Sequence, residues 1–241
     1  MAENENGISE GKFVCCTLLI LSICLLAAFP QWMLMCLFAK DHLVYTLTCL
    51  FVAVVVLICI HLLEPLKYWR PWNYIAIIIC YELLTLGAAS FLMEWELVCT
   101  IIVICVALLI LVLVLLVCIV LILTGFYVNP FKVAVVGAAG FVLAFLITMM
   151  DVLTAWFFWR DLAIGVFIFS VIVVTICHVL ITYNNFEVLV KDDALLVAIV
   201  LYVNYLLLLV GGRVSAHCIK RNIEYFEETT RACIEVEPSE S

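Results

Sequence analysis

Long apolar stretches parted by short polar joints run through residues 13 to 212. They fall at about 13–38, 43–63, 73–93, 97–123, 131–150, 162–183 and 194–212. Each comes close to or exceeds the roughly 20 residues that a helix needs to cross hydrocarbon. None shows the two-residue alternation broken by turns that a membrane barrel requires. The pattern therefore predicts an all-α integral membrane protein, a seven-helix bundle. Pro30 interrupts the first segment and is expected to kink it or to mark the interface. The fourth, IIVICVALLILVLVLLVCIVLIL, offers almost no hydrogen-bonding group, so it is expected to face lipid or to pack as a wall. The joints AKDH, EPLKYWRPW, MEWE and VNPFK are too short to hold a domain.

Composition agrees with the pattern. The chain has 241 residues, 68% hydrophobic and 12% charged, against about 45–50% and about 25% in soluble domains. The net charge is −8, and acidic residues cluster in two ends, 1–12 and 213–241, which read as acidic, solvated tails. The absence of a basic stripe excludes nucleic acid as a partner. The leader before the first segment is acidic and that segment is long, so it is expected to stay as a helix and not to be cleaved as a signal peptide. The 13 cysteines sit mostly inside apolar runs, where they behave as small hydrophobes, and no CxxC pair offers a zinc site. Cys15 and Cys16, at the membrane boundary, are candidates for lipidation. No GxSxG, HExxH or phosphate-binding glycine loop is present, so no catalytic site, cofactor or metal is expected.

Basic residues suggest an orientation. With a cytoplasmic N-terminus, the cytoplasmic loops hold Lys67, Arg70, Lys132 and Lys191, and the opposite loops hold Lys40 and Arg160. Arg213, Lys220, Arg221 and Arg231 follow the seventh segment, and counting them favours a cytoplasmic tail, with that segment either re-entering or packing inside the bundle without crossing. Trp69, Trp72, Trp156 and Trp159 precede the third and sixth segments and read as interface anchors.

Polar groups inside spans are costly, which makes each a candidate for function. Glu82 lies near the middle of the third segment, either as a cation or proton ligand or as a neutral acid bonded to a neighbouring helix. His61 and His178 lie near segment ends as proton relays or interface histidines. Asp151, Arg160 and Asp161 flank a loop. Asp192 and Asp193 open the seventh segment, where they suit the positive end of the helix dipole or a pore mouth. Asn184 and Asn185 end the sixth segment, and Asn204 sits in the middle of the seventh, as interhelical glue or as part of a path.

Four short motifs in order carry a family likeness. RPWNYIAI opens the third segment, Glu82 is followed by Gly87, and Tyr183-Asn184-Asn185 precedes Asp192-Asp193 and then Leu201-Tyr202-Val203-Asn204-Tyr205. In this the chain resembles the transmembrane BAX-inhibitor-motif family, also called lifeguard or Bax inhibitor, over residues 13–212. The resemblance implies a bundle with the last helix at its centre, calcium leak from intracellular stores and suppression of cell death. It implies an endoplasmic reticulum or Golgi membrane, with the plasma membrane left open. It further implies a path or gate at Asn184, Asn204, Glu82, Asp192 and Asp193, with calcium as the transported ion. In the family, two aspartates form a hydrogen-bonded, pH-sensitive pair. Asn184 and Asn204 stand at those positions here, and amides do not ionise in this range. The alternative expectation is a non-conducting membrane regulator that acts on membrane-protein partners in cell-death signalling.

Overall fold

The computed structural model describes residues 9–38, 43–62, 71–92, 95–125, 128–154, 157–189 and 193–235. They form α1 (Glu10–Phe38), α2 (Leu43–Leu62), α3 (Trp72–Ser90), α4 (Leu97–Leu123), α5 (Pro130–Thr154), α6 (Phe157–Asn184) and α7 (Asp193–Glu235), with a 3-10 turn at Phe186–Val188 before α7. Six of these helices are long and apolar enough to cross a membrane. At 20 residues, α2 also reaches about 30 Å, the thickness of the hydrocarbon core. The chain is a multi-pass helical membrane protein embedded in a lipid bilayer. Trp69 and Trp156, Asp192, residues 1–8 and residues 236–241 lie outside the described residues.

Local chemistry sets several helix ends. Asn129 caps α5: its Oδ1 accepts from the Phe131 N–H at 3.0 Å, while Pro130 takes the first helical position, where no N–H is needed. α4 stops at Gly125, whose φ of 64° is a left-handed backbone that glycine adopts without strain. Pro30 lies inside α1, and the helix continues through it.

α7 is the centre of the bundle. It packs against α1, α3, α4 and α6, while α2 leans on α3 and α5 on α6. Of the apolar window in α7, 61% is buried and in α3 56%, against 17% to 28% in α1, α4, α5 and α6. α4 buries one stripe, Val103, Ala107, Leu111, Val114 and Cys118, at the three- and four-residue spacing of a single helix face. Many of its remaining apolar side chains are exposed, at lipid depth, as expected of a wall.

Small residues let helices approach closely. A Cβ added at Gly87 of α3 would come within 2.7 Å of Leu50 on α2, one at Gly137 of α5 within 2.6 Å of Val174 on α6, and one at Gly140 would strike the Ser170 hydroxyl. Gly140→Val is expected to destabilise the α5–α6 pair by about 1–3 kcal/mol through overpacking. A thermal melt in mild detergent reads this directly, and an unchanged melting temperature would contradict the packing.

The last helix departs from the sequence expectation. It does not end at 212 or turn back; it runs as one helix of 43 residues. The glycine pair that ends the apolar run serves close packing: a Cβ at Gly211 would lie 3.0 Å from Ile168, and one at Gly212 would lie 3.5 Å from Val103. No proline follows until Pro238, so nothing breaks the helix earlier. Several side chains beyond Gly212 dock on the bundle. Arg213 Nε donates to the Phe91 carbonyl at 2.9 Å, its guanidinium stands 3.4 Å over the Trp95 ring, and Cys218 is buried. Asn222 Nδ2 donates to Asp161 at 3.1 Å. Asp151 and Arg160, expected merely to flank a loop, pair across the α5–α6 turn at 3.2 Å.

Candidate functional site

A hydrogen-bonded group of polar side chains lies where α1, α3 and α7 meet. Four rings form a ladder through this seam: Tyr81 to Tyr202 at 5.1 Å, Tyr202 to Tyr205 at 6.4 Å, and Tyr205 to Trp32 at 5.9 Å between centroids. Tyr202, Tyr205 and Trp32 are almost wholly buried. Each polar tip finds a partner, as a buried hydroxyl or indole must. Thr85 Oγ1 donates to the Tyr81 carbonyl at 2.8 Å. That uses its one proton, so the Tyr202 hydroxyl donates in the 2.7 Å contact to Thr85 Oγ1. Tyr81 donates to the Cys24 carbonyl at 2.8 Å, Trp32 Nε1 to the Thr85 carbonyl at 3.2 Å, and Tyr205 to the Ile104 carbonyl of α4 at 3.4 Å. The network ties α1, α3, α4 and α7 together and fills the axis with aromatic rings.

Glu82 lies on this seam. It is half-buried on α3, ten residues from the helix start and thus about 15 Å along it. Gln31 of α1 donates its Nε2 to Glu82 Oε2 at 3.3 Å. Gln31 Oε1 is buried and has no hydrogen-bond partner among the described residues. The pair can hold a carboxylate through an amide donor while leaving an acceptor beside it, an arrangement suited to a passing cation or proton. Thr85, Tyr202 and Gln31 are absent from the sequence-based site. Gln31, directly after Pro30 in an apolar run, carries a sequence signal of the same kind as Asn204.

The other expected path residues do not converge on Glu82. Asn204 is 3% exposed and its Nδ2 has no partner among the described residues. It shares a helix face with Gly211, which meets Phe167 and Ile168 of α6. Tyr202, two residues earlier, takes the nearly opposite face and meets α3. Asn184 is exposed at the end of α6. It lies at the end of the bundle where α7 begins, whereas Asn204 is eleven residues into α7, about 16 Å along it. The two asparagines share no hydrogen bond, so the paired arrangement expected from the resemblance is not formed. Asp193 is buried in the first turn of α7, where a carboxylate meets the positive end of the helix dipole. Cys15 is exposed and Cys16 partly so, both as free thiols. His178 is partly buried on α6, and the side chain of His61 is outside the described residues. Among the described residues, no three His, Cys, Asp or Glu side chains group as a metal cage.

No protein-family model, curated protein or solved structure matches the chain.

Proposed function

We propose that the chain is a divergent BAX-inhibitor-type membrane protein that lets calcium leak slowly from an intracellular store and thereby damps cell-death signalling, with the family's pH gate lost. The observation that carries this reading is Glu82, an ionisable side chain at mid-span, held by Gln31 beside the central helix. Placing such a charge in the bilayer centre costs about 2.5–3.5 kcal/mol on insertion scales, so it points to an ion path. A carboxylate also suits a hard cation better than an amide does. Asn184 and Asn204 remove both titrating groups of the expected gate. The test is calcium efflux from liposomes carrying the purified protein, compared with Glu82→Gln.

A second reading, a non-conducting regulator that acts by contact with membrane partners, draws on the aromatic seal around α7. Folded protein without flux, together with a membrane partner that co-purifies through the acidic C-terminal end, selects that reading.

A further inference from the structure

The geometry points to a resident lipid: an acyl chain of a bilayer glycerolipid lies in a groove between α1 and α4, in the leaflet at the N-terminal end of α1. α1 and α4 approach at one end, where Cys36 Sγ lies 3.9 Å from Thr100 Oγ1. Toward the other end they stand apart and leave a cavity of about 1070 Å³. Gly11, Cys15, Leu18 and Ser22 line one wall, at the spacing of a single helix face. Val112, Leu116, Ile119 and Leu123 line the other, and Val197 and Leu201 of α7 form part of the floor.

Depth identifies the occupant. From Glu10 to Ser22 the first wall runs about 18 Å, and from Val112 to Leu123 the second runs about 16 Å, at 1.5 Å per residue. Both are close to half of the roughly 30 Å hydrocarbon core, the depth of one leaflet. The walls belong to helices apolar enough to span, so the groove opens to lipid tails and not to water. Leaving such a space unfilled forfeits dispersion contacts along its whole lining.

The lining chemistry excludes a polar guest. The serine and threonine hydroxyls that border the cavity are turned back on their own helices: Thr17 donates to the Phe13 carbonyl at 3.0 Å, Ser22 to that of Leu18 at 2.8 Å, and Thr182 to that of His178 at 2.9 Å. What remains below the rim is hydrocarbon and the Cys15 thiol. The polar groups of the rim, Glu10 and Tyr183, sit at helix ends, the level of a glycerol and headgroup. A bound chain would bridge α1 to α4 where they do not touch each other, and so would brace α1 against the central helix.

The experiment uses the full chain, reconstituted with 1-palmitoyl-2-oleoyl-phosphatidylcholine, extracted in mild detergent, stripped with excess detergent and weighed by native mass spectrometry. The native protein is expected to retain a lipid. Leu116→Trp and Ser22→Trp fill the groove from opposite walls, and either one that elutes as folded protein suffices. Retained lipid is expected to fall about tenfold in them, equivalent to about 1.4 kcal/mol. Leu146→Trp, on the exposed face of α5, is expected to retain it. No lipid on the stripped native protein, or equal retention by the filled variants, overturns the proposal. So does adducted mass that hydroxylamine removes and Cys15→Ala lacks, because the occupant is then a chain joined to Cys15 by a thioester. Retention that survives Cys15→Ala and is lost on filling supports the free lipid.

Discussion

Tyr202→Ala is expected to destabilise the folded bundle by about 3–5 kcal/mol, the range for removing a large aromatic from a core. The ring is fully buried on the central helix, between Tyr81 and Tyr205, and its hydroxyl reaches Thr85. In hydrocarbon there is no water to fill the space or to take the freed Thr85 acceptor. Tyr202→Phe separates the two contributions. It keeps the ring and removes only the hydrogen bond, so its cost is expected near 1 kcal/mol. Reversible unfolding of both variants in mixed micelles measures the difference. If Tyr202→Ala costs no more than Tyr202→Phe, α7 is not the packed axis of the bundle.

Glu82→Gln is expected to cut calcium flux by tenfold or more while the protein stays folded. The substitution nearly preserves shape, and its amide can still bond Gln31, so the change is chiefly one of charge. A unit charge at 4 Å from another contributes about 4 kcal/mol at an effective dielectric of 20. Even about a third of that, lost from the barrier for a passing cation, changes the rate about tenfold. Gln31→Leu is expected to act in the same direction, since it removes the donor that holds Glu82 at 3.3 Å. Melting temperatures measured beside the fluxes separate lost conduction from lost folding. Unaltered flux in folded Glu82→Gln would move the path elsewhere.

The helices were legible because bilayer thickness imposes one length on every span. The expected segment 97–123 and α4 coincide, the second segment starts at Leu43 as expected, and the other starts differ slightly, most at 162 against Phe157. The central place of the last helix came from family resemblance, and the burial of Ala198, Tyr202, Tyr205 and Leu209 agrees with it. Its end was not legible. Gly211 and Gly212 look like a stop in a sequence, yet their role is to admit Phe167, Ile168 and Val103, which only the packing reveals. The site was legible residue by residue and not as an assembly. Glu82, Asn204 and Asp193 stand out as polar groups in apolar runs, but which helix face each occupies depends on neighbours. Tyr202 and Asn204, two residues apart, lie on nearly opposite faces of α7 for that reason. Gln31 reaches Glu82 only because α1 runs on through Pro30 and packs against α3.

The measurement closest to the centre of this reading is calcium efflux from liposomes holding the native protein, set against empty liposomes of the same lipid. The expected result is a slow leak above the empty control that Glu82→Gln removes. Folded native protein with no leak above that control would contradict it, and would leave the bundle as a regulator that acts through its partners.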